Sequence, residues 1–180
     1  MEQKSNYSKE ELLIVADEGF DGAGNGKLPT PPMLMVDRIL QIFEDGGAFN
    51  KGYILAELDI IPDYWFFDCH FKDDPVMPGC LGLDALWQLS GFFLTWIGGE
   101  GKGRALGCGE VKFKGQIRPH HEKIIYKVDI RRVIKKPVFM VLANASVQVE
   151  DRTIYVAKNL QVGLFTGLIY PPPEGEVEAF

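Results

Sequence analysis

The chain has 180 residues, of which 46% are apolar and 24% are charged. These fractions are ordinary for one globular domain and exclude a mostly disordered chain or a membrane channel. The net charge of −6 argues against non-specific binding to nucleic acid. We expect residues 1–166 to form a single domain and residues 167–180 to form a tail rich in proline and glutamate.

The cysteines and the N-terminus indicate a cytoplasmic protein. Cys69, Cys80 and Cys108 cannot all pair with one another, and no Cys-x-x-Cys spacing occurs. Residues 1–9 are polar and lack the apolar core of a secretory signal. The most apolar stretch, residues 81–97, is too short and too often interrupted by polar residues to span a membrane, so we expect no membrane insertion.

The first half of the chain is predicted to mix short helices and strands. Ser8 and Glu11 have the spacing of a capping box, which predicts a helix that begins after Ser8 and continues to about Ala16. The following segments are predicted, in chain order, as a loop over 21–32, strands over 33–43 and 52–58, and a brief helical turn over 62–67.

One long helix is predicted over residues 79–97. Apolar side chains lie on every side of it, which is typical of a buried helix. Four glycines within residues 98–103 end it. The rest of the chain is predicted as strands over 104–114, 123–134, 138–149 and 153–165, joined by short connections that favour neighbouring antiparallel pairs.

This set of elements predicts an α+β fold. A curved antiparallel sheet wrapped around one long buried helix is the economical way to cover that helix. Such a sheet leaves edge strands that need a partner, and pairing between two copies of the chain would cover them. We therefore expect a symmetric homodimer.

His70 is the candidate base. It precedes a loop, residues 75–79, that is stiffened by two prolines and leads into the long helix. A lone histidine among aromatic residues is more often a packed core residue than a catalyst, whereas His120 and His121 have the setting of a solvated connection. The backbone N–H of Gly79, at the start of the helix, is a candidate oxyanion donor because a helix N-terminus has unpaired N–H groups.

Asp84 is the candidate acid. It lies in the second turn of a helix that is otherwise apolar, so we expect it to be buried and wholly or partly protonated near neutral pH. A neutral aspartic acid can protonate a leaving hydroxyl group. Gln88, four residues later, lies on the same face of the helix and can hydrogen-bond to Asp84. An equally simple interpretation is that Asp84 and Gln88 form a structural pair.

Together His70, Gly79 and Asp84 suit proton abstraction next to a carbonyl group with loss of a β-leaving group. A metal site is not expected, because neither a His-x-x-x-His spacing nor a Cys/His cluster is present. The glycine-rich segment 99–103 is not followed by the spacing of a phosphate-binding loop.

The segments 70–71, 74–85, 87–89, 99–107 and 109–113 closely resemble the family of bacterial 3-hydroxydecanoyl-acyl-carrier-protein dehydratases, and they include His70, Gly79 and Asp84. Segment 74–85 reads DPVMPGCLGLDA, and Cys108 departs from the family, which usually has a small aliphatic residue there. Shorter matches extend the resemblance over about residues 7–165.

The resemblance implies a hot-dog fold and a homodimer in which His70 of one subunit faces Asp84 of the other. It implies dehydration of a 3-hydroxyacyl thioester of about ten carbons to the trans-2-enoyl form, followed by isomerisation to the cis-3-enoyl form in unsaturated fatty-acid synthesis. His70 would take the C2 proton, the Val76 carbonyl would orient the His70 ring, and Gly79 N–H would polarise the thioester carbonyl. No cofactor is implied.

The implied partner is an acyl-carrier protein, which is strongly acidic. Because this chain is also acidic, docking would need a local basic patch. Arg132, Lys135 and Lys136 are the candidate docking residues, at the turn between two strands. Strand alternation predicts that Arg131 points to the opposite face, and a solvated hairpin tip is the simpler interpretation of this patch.

Three other functions have different requirements. A dehydratase without isomerase activity would use the same histidine and acid, so the sequence does not distinguish it. A hot-dog thioesterase needs a carboxylate or activated water near the thioester carbonyl. A non-catalytic acyl-binding module would tolerate any apolar residue in place of Asp84.

Overall fold

The computed structural model describes residues 3–168, in which a seven-stranded antiparallel sheet packs against one long helix. The helices are α1 (Lys9–Glu18), α2 (Trp65–Cys69) and α3 (Gly79–Trp96). The strands are β1 (Arg38–Phe43), β2 (Tyr53–Asp59), β3 (Lys102–Gly107), β4 (Glu110–Phe113), β5 (Lys123–Ile134), β6 (Phe139–Val149) and β7 (Arg152–Phe165). The predicted α+β class is confirmed.

The long helix α3 forms the centre of the core. Leu86, Leu89, Phe92 and Phe93 are each at most 2% exposed, and α3 contacts β5, β6, β7 and β3. Burial of each such side chain stabilises the fold by roughly 1.5–3 kcal/mol, so this helix carries a large share of the hydrophobic free energy. None of the helices within residues 3–168 combines the length and the apolar character needed to cross a membrane.

The strand order is β1-β2-β5-β6-β7-β3, with β4 beside β7. The short connections after β5 and after β6 join antiparallel neighbours, as predicted. The strands on either side of the predicted short connection 118–122 were expected to be antiparallel neighbours. This prediction is wrong, because β4 pairs with β7 whereas β5 lies between β2 and β6. The connection between β4 and β5 spans residues 114–122. This connection lies beside the loop before α3, where the Ile117 carbonyl accepts a hydrogen bond from Met77 N–H at 2.9 Å.

Two predicted strand boundaries also need correction. The segment 104–114 is divided between β3 and β4, although both strands pair with β7. The interruption falls opposite Asn159, which has a positive φ of 54°, and Gly109 N–H donates to the Lys158 carbonyl. The strand predicted over 33–43 begins only at Arg38, because Met33 and Leu34 donate to the Thr30 carbonyl in a turn.

Helix α1 has the predicted capping box. The Ser8 hydroxyl accepts a hydrogen bond from Glu11 N–H, and the Glu11 carboxylate accepts one from Ser8 N–H. The helix extends two residues beyond the predicted end, to Glu18, and Gly19 follows it with a φ of 87°. The tail predicted to be extended lies largely outside the described residues, which end at 168.

Substitution of Ser8 by alanine tests the cap. It should lower the free energy of unfolding by about 1 kcal/mol, because one N–H group at the start of α1 loses its partner. Urea denaturation followed by circular dichroism measures the change. Ser5→Ala is the matched control, since Ser5 contributes a backbone carbonyl to Ile42 and no capping hydrogen bond is seen for its hydroxyl. Equal effects of both variants would contradict this role of Ser8.

Candidate active site

His70 lies directly after the short helix α2, where local backbone hydrogen bonds fix it. Its N–H donates to the Phe66 carbonyl at 2.9 Å, and its carbonyl accepts a hydrogen bond from Val76 N–H at 3.0 Å. The ring of Phe71 stacks on the imidazole with centroids 4.2 Å apart. The half-buried His70 ring is thus held at the edge of the core.

The tautomer of His70 follows from its contact with Val76. Nδ1 lies 3.0 Å from the Val76 carbonyl oxygen. Because a carbonyl oxygen can only accept a hydrogen bond, Nδ1 carries the proton in the neutral ring and Nε2 keeps its lone pair. A histidine held in this tautomer has its second nitrogen available as a base.

The loop between His70 and α3 is anchored at several points. Arg118 forms an ion pair with Asp74 and donates a hydrogen bond to the Pro75 carbonyl at 3.3 Å. Met77 N–H donates to Ile117 on the neighbouring connection. These contacts fix the path of the loop and therefore the position of the Val76 carbonyl that faces His70.

Gly79 begins α3, and Pro78 before it provides no side-chain cap. Within residues 3–168 no hydrogen bond from Gly79 N–H is seen, as expected for the first N–H group of a helix. A Cβ at this position would lie 2.7 Å from the Phe113 ring, so glycine lets that ring pack against the helix start. The arrangement leaves a backbone donor available beside His70.

His70 and Gly79 share one wide cavity of about 1040 Å³, called here the His70 cavity. Its apolar wall includes Met77, Leu83 and Tyr155. Burial raises the pKa of Tyr155 to about 12, so this phenol stays neutral at physiological pH. Phe71 and Phe113 stand at the cavity with exposed fractions of 58% and 54%.

Asp84 is held by Gln88, as the spacing on the helix predicts. The Gln88 amide donates to Asp84 Oδ2 at 2.6 Å and to the Met33 carbonyl at 2.9 Å, and its oxygen accepts a hydrogen bond from Met35 N–H at 3.1 Å. Gln88 therefore fixes the carboxyl group and also attaches the segment before β1 to α3. The contact between Gln88 and Asp84 therefore has a structural function, whether or not Asp84 also takes part in catalysis.

The sequence-based expectation of a buried Asp84 is wrong for the single chain, in which this side chain is only partly buried. Asp84 lines a second cavity of about 300 Å³, called here the Asp84 cavity. The helix is apolar around its whole surface, but the loop over residues 26–29 and strands β3 and β7 leave this space beside it.

The candidate base and the candidate acid line different cavities of the same chain. His70 and Gly79 line the larger one, whereas Asp84 and Gln88 line the smaller one. Both cavities border α3, which contributes Leu83 to the first and Asp84 to the second. Neither cavity alone contains a complete set of base, oxyanion donor and acid.

The candidate docking residues lie where β5 and β6 meet. Arg132, Lys135 and Lys136 are all exposed. The predicted alternation of Arg131 and Arg132 is interrupted by a register shift between Ile130 and Arg132, and both arginines are exposed. Arg131 contacts Asn159 and lies over the Phe49 ring, so its guanidinium is already engaged.

Sequence reasoning missed the residues that complete the two cavities. Phe113 and Tyr155 come from β4 and β7, far along the chain from His70, and Leu28 comes from a segment predicted only as loop. Leu28 is 7% exposed. An apolar residue within a polar, glycine-rich loop was the feature of the sequence that could have indicated its burial. No comparable local pattern pointed to Tyr155.

The fold is a hot-dog fold. Similar solved structures include a dehydratase heterocomplex from Xenorhabdus doucetiae, with a TM-score of 0.57 and 11% identity over 76% of this chain and 86% of that chain. A thioesterase from Haemophilus influenzae has a TM-score of 0.59 and 12% identity over 94% and 98%. A hypothetical thioesterase with coenzyme A from Streptococcus pneumoniae has a TM-score of 0.52 and 8% identity over 71% and 84%.

A family assignment is more specific than the fold. Residues 28–158 match the model of the FabA-like domain. The chain therefore belongs to the FabA-like domain family. The matched range includes His70, Gly79, Asp84 and Gln88.

Proposed function

We propose that the protein is a 3-hydroxyacyl-acyl-carrier-protein dehydratase that also isomerises its trans-2-enoyl product to the cis-3-enoyl form. The observation that carries the proposal is that base and acid are each positioned by a dedicated hydrogen bond. The Val76 carbonyl orients His70, and the Gln88 amide holds Asp84. Each group also opens to a cavity with an apolar wall, which suits an acyl chain.

Dehydration uses these groups in a single β-elimination. His70 Nε2 takes a proton from C2, and the electron pair forms the C2–C3 double bond. Gly79 N–H stabilises the negative charge that develops on the thioester oxygen. Asp84 protonates the C3 hydroxyl group as it leaves, so water and the trans-2-enoyl thioester are the products. In the isomerisation, His70 removes a proton from C4 and returns one to C2.

A homodimer brings the base and the acid together. We propose that His70 of one subunit faces the partner's Asp84, because the two groups line separate cavities within a chain. The exposed Phe71 and Phe113 at the His70 cavity give such an interface apolar surface to bury. Among the described strands, β3 is the last in the strand order, and a second copy can extend the sheet at such an end.

Thioester hydrolysis is the second candidate, favoured by the similarity of the fold to two thioesterases. It needs a water molecule or carboxylate at the thioester carbonyl, whereas the proposed site places the partner's Asp84 at the C3 hydroxyl group. Dehydration makes better use of two separately positioned proton-transfer groups.

One incubation separates these activities. The full-length protein is incubated with a ten-carbon 3-hydroxyacyl thioester, and both enoyl products are followed by gas chromatography while released thiol is titrated. Both enoyl products without thiol release support the proposal. The trans-2 product alone means a dehydratase without isomerase activity, and thiol release without enoyl product means a thioesterase.

The carrier-docking proposal gives a further prediction. Simultaneous charge reversal of Arg132, Lys135 and Lys136 should weaken turnover of a substrate bound to acyl-carrier protein. The loss should be larger at low salt, because exposed charges are screened at high salt. It is measured as kcat/KM with the carrier-bound substrate and with an N-acetylcysteamine thioester, which brings no carrier.

Reversal of Arg152, an exposed residue at the start of β7 and therefore at the opposite end of β6 from this turn, is the control. Within residues 3–168 no ion pair of Arg132, Lys135 or Lys136 is seen, so their replacement breaks no observed contact between charged groups. An equal loss with both substrates would show that these residues support the fold or the active site and do not bind the carrier.

A further inference from the structure

The Asp84 cavity runs along one face of α3. The helix residues that line it include Asp84, Gln88 and Gly91, whose spacings of four and three place them on the same side. With a rise of about 1.5 Å per residue, Gly91 lies roughly 10 Å further along the helix axis than Asp84. The cavity is therefore longer along the helix than a site for the reacting atoms requires.

The polarity of the residues that line the cavity changes along the helix. Asp84 and Gln88 supply polar groups towards the start of the helix. Further along, the buried part of the lining is apolar and includes Phe92, Val162 and Leu164, which are between 2% and 5% exposed. The charged residues of the lining, Lys27 and Arg104, are exposed and partly buried, respectively. A channel with a proton donor at one end and buried apolar walls at the other suits a linear alkyl chain that carries its polar group at one end.

Gly91 is a glycine within α3, and neither its backbone conformation nor the neighbouring packing explains its presence in this lining. Glycine in the interior of a helix is less favourable than alanine. Among the described residues, and leaving out the adjacent backbone of α3, a Cβ at this position would meet only Val162 Cγ1 within 4 Å, at an ordinary contact distance of 3.6 Å. What the glycine does provide is open space in the cavity.

The distance from Asp84 to Gly91 fits a particular chain length. If Asp84 meets the hydroxyl group at C3, a ten-carbon chain has seven carbons beyond that point. With a C–C bond of about 1.5 Å, an extended chain advances roughly 1.3 Å per carbon and spans ~9 Å. We infer that the terminal methyl group of a ten-carbon acyl chain lies at Gly91, so that residue 91 limits the length of the substrate. This inference rests on the proposed function, which places C3 at Asp84.

Binding of non-reactive ligands tests the inference without requiring turnover. Saturated N-acetylcysteamine thioesters of six, eight and ten carbons are titrated into the wild-type protein and the Gly91→Leu variant by isothermal titration calorimetry. In the wild type, affinity should rise by roughly fourfold for each added methylene group. In Gly91→Leu the ten-carbon ligand should bind at least tenfold more weakly than in the wild type, and the six-carbon ligand within about twofold of it.

Gly91→Ala is a second variant, which tests the inference even if Gly91→Leu fails to fold. Its melting temperature should not fall below that of the wild type, because the added methyl group meets no close contact. It should weaken binding of the ten-carbon ligand by about fourfold and leave six-carbon binding unchanged, since one methyl group displaces about one methylene. Equal weakening of all three ligands, or of none, by both variants would overturn the inference.

A compensating substitution checks that the limiting contact lies at this place in the cavity. Val162→Ala removes the atom nearest to a side chain at residue 91. Added to Gly91→Leu, it should restore at least part of the lost ten-carbon affinity, and no restoration would contradict the assignment. Length-dependent binding in the wild type without enoyl product would overturn the proposed function and leave the position of the acyl chain supported.

Discussion

Replacement of His70 by alanine is expected to reduce both dehydration and isomerisation by about 10³-fold or more, within the range of a general base and large enough to abolish detectable turnover. No second base replaces it, because no other histidine lines the His70 cavity. Because Nδ1 donates a hydrogen bond to the Val76 carbonyl, Nε2 is the atom that accepts the substrate proton. Removal of the ring therefore removes proton transfer. Activity is measured with the ten-carbon 3-hydroxyacyl thioester and, separately, with its trans-2-enoyl product.

His120→Ala is the matched control for this variant. His120 is exposed and its ring contacts that of His121 in the connection before β5, away from both cavities. It should keep wild-type rates. A further measurement is hydrogen–deuterium exchange at C2 of the substrate in D₂O, which reports proton abstraction alone. Retention of more than a few per cent of either activity in His70→Ala would assign the base to another residue.

The parts of this protein that local sequence patterns predict are those formed by residues close together in the chain. The long helix begins at Gly79 as predicted and ends at Trp96, one residue before the predicted end. The contact between Asp84 and Gln88 also follows from helical spacing alone. In each case, backbone geometry within a few residues determines the outcome.

The pairing of the strands depends on distant parts of the chain and was only partly predicted. Hairpins with short turns, such as β5–β6, follow from the length of the connection. The pairing of β4 with β7 does not, because 38 residues separate Phe113 from Arg152 and only the assembled sheet decides between neighbours. The division of β3 from β4 likewise reflects Asn159 on the opposite strand.

The partial exposure of Asp84 shows that local sequence patterns are also insufficient to predict the candidate site. An apolar helix predicts burial of all its residues, but that argument assumes that neighbouring elements close around every face. Here the loop over residues 26–29 covers part of the face and leaves a cavity instead. The separation of His70 from Asp84 into two cavities could not be read from their 14-residue spacing, because it depends on how β3, β4 and β7 divide the surface of α3.

Asp84→Asn is expected to lower the rate of dehydration by roughly 10²-fold or more, the usual scale for loss of a general acid. Asparagine has nearly the same shape, and its carbonyl oxygen can still accept the hydrogen bond that Gln88 donates. The fold and the attachment of the segment around Met33 should therefore be retained. If the variant gains stability in urea denaturation and keeps its rate, Asp84 is only the structural partner of Gln88.

A mixture of His70→Ala and Asp84→Asn proteins tests where the two groups meet. If each site uses His70 of one subunit and the partner's Asp84, a mixed dimer contains one site with both residues intact and one site with neither. Random subunit exchange makes about half of the dimers mixed, so roughly a quarter of wild-type activity should return. Two differently tagged variants, copurified after exchange, establish that mixed dimers have formed. No recovery in that copurified material would mean that base and acid act within one chain, and the two cavities would then have to join by movement of the elements around α3.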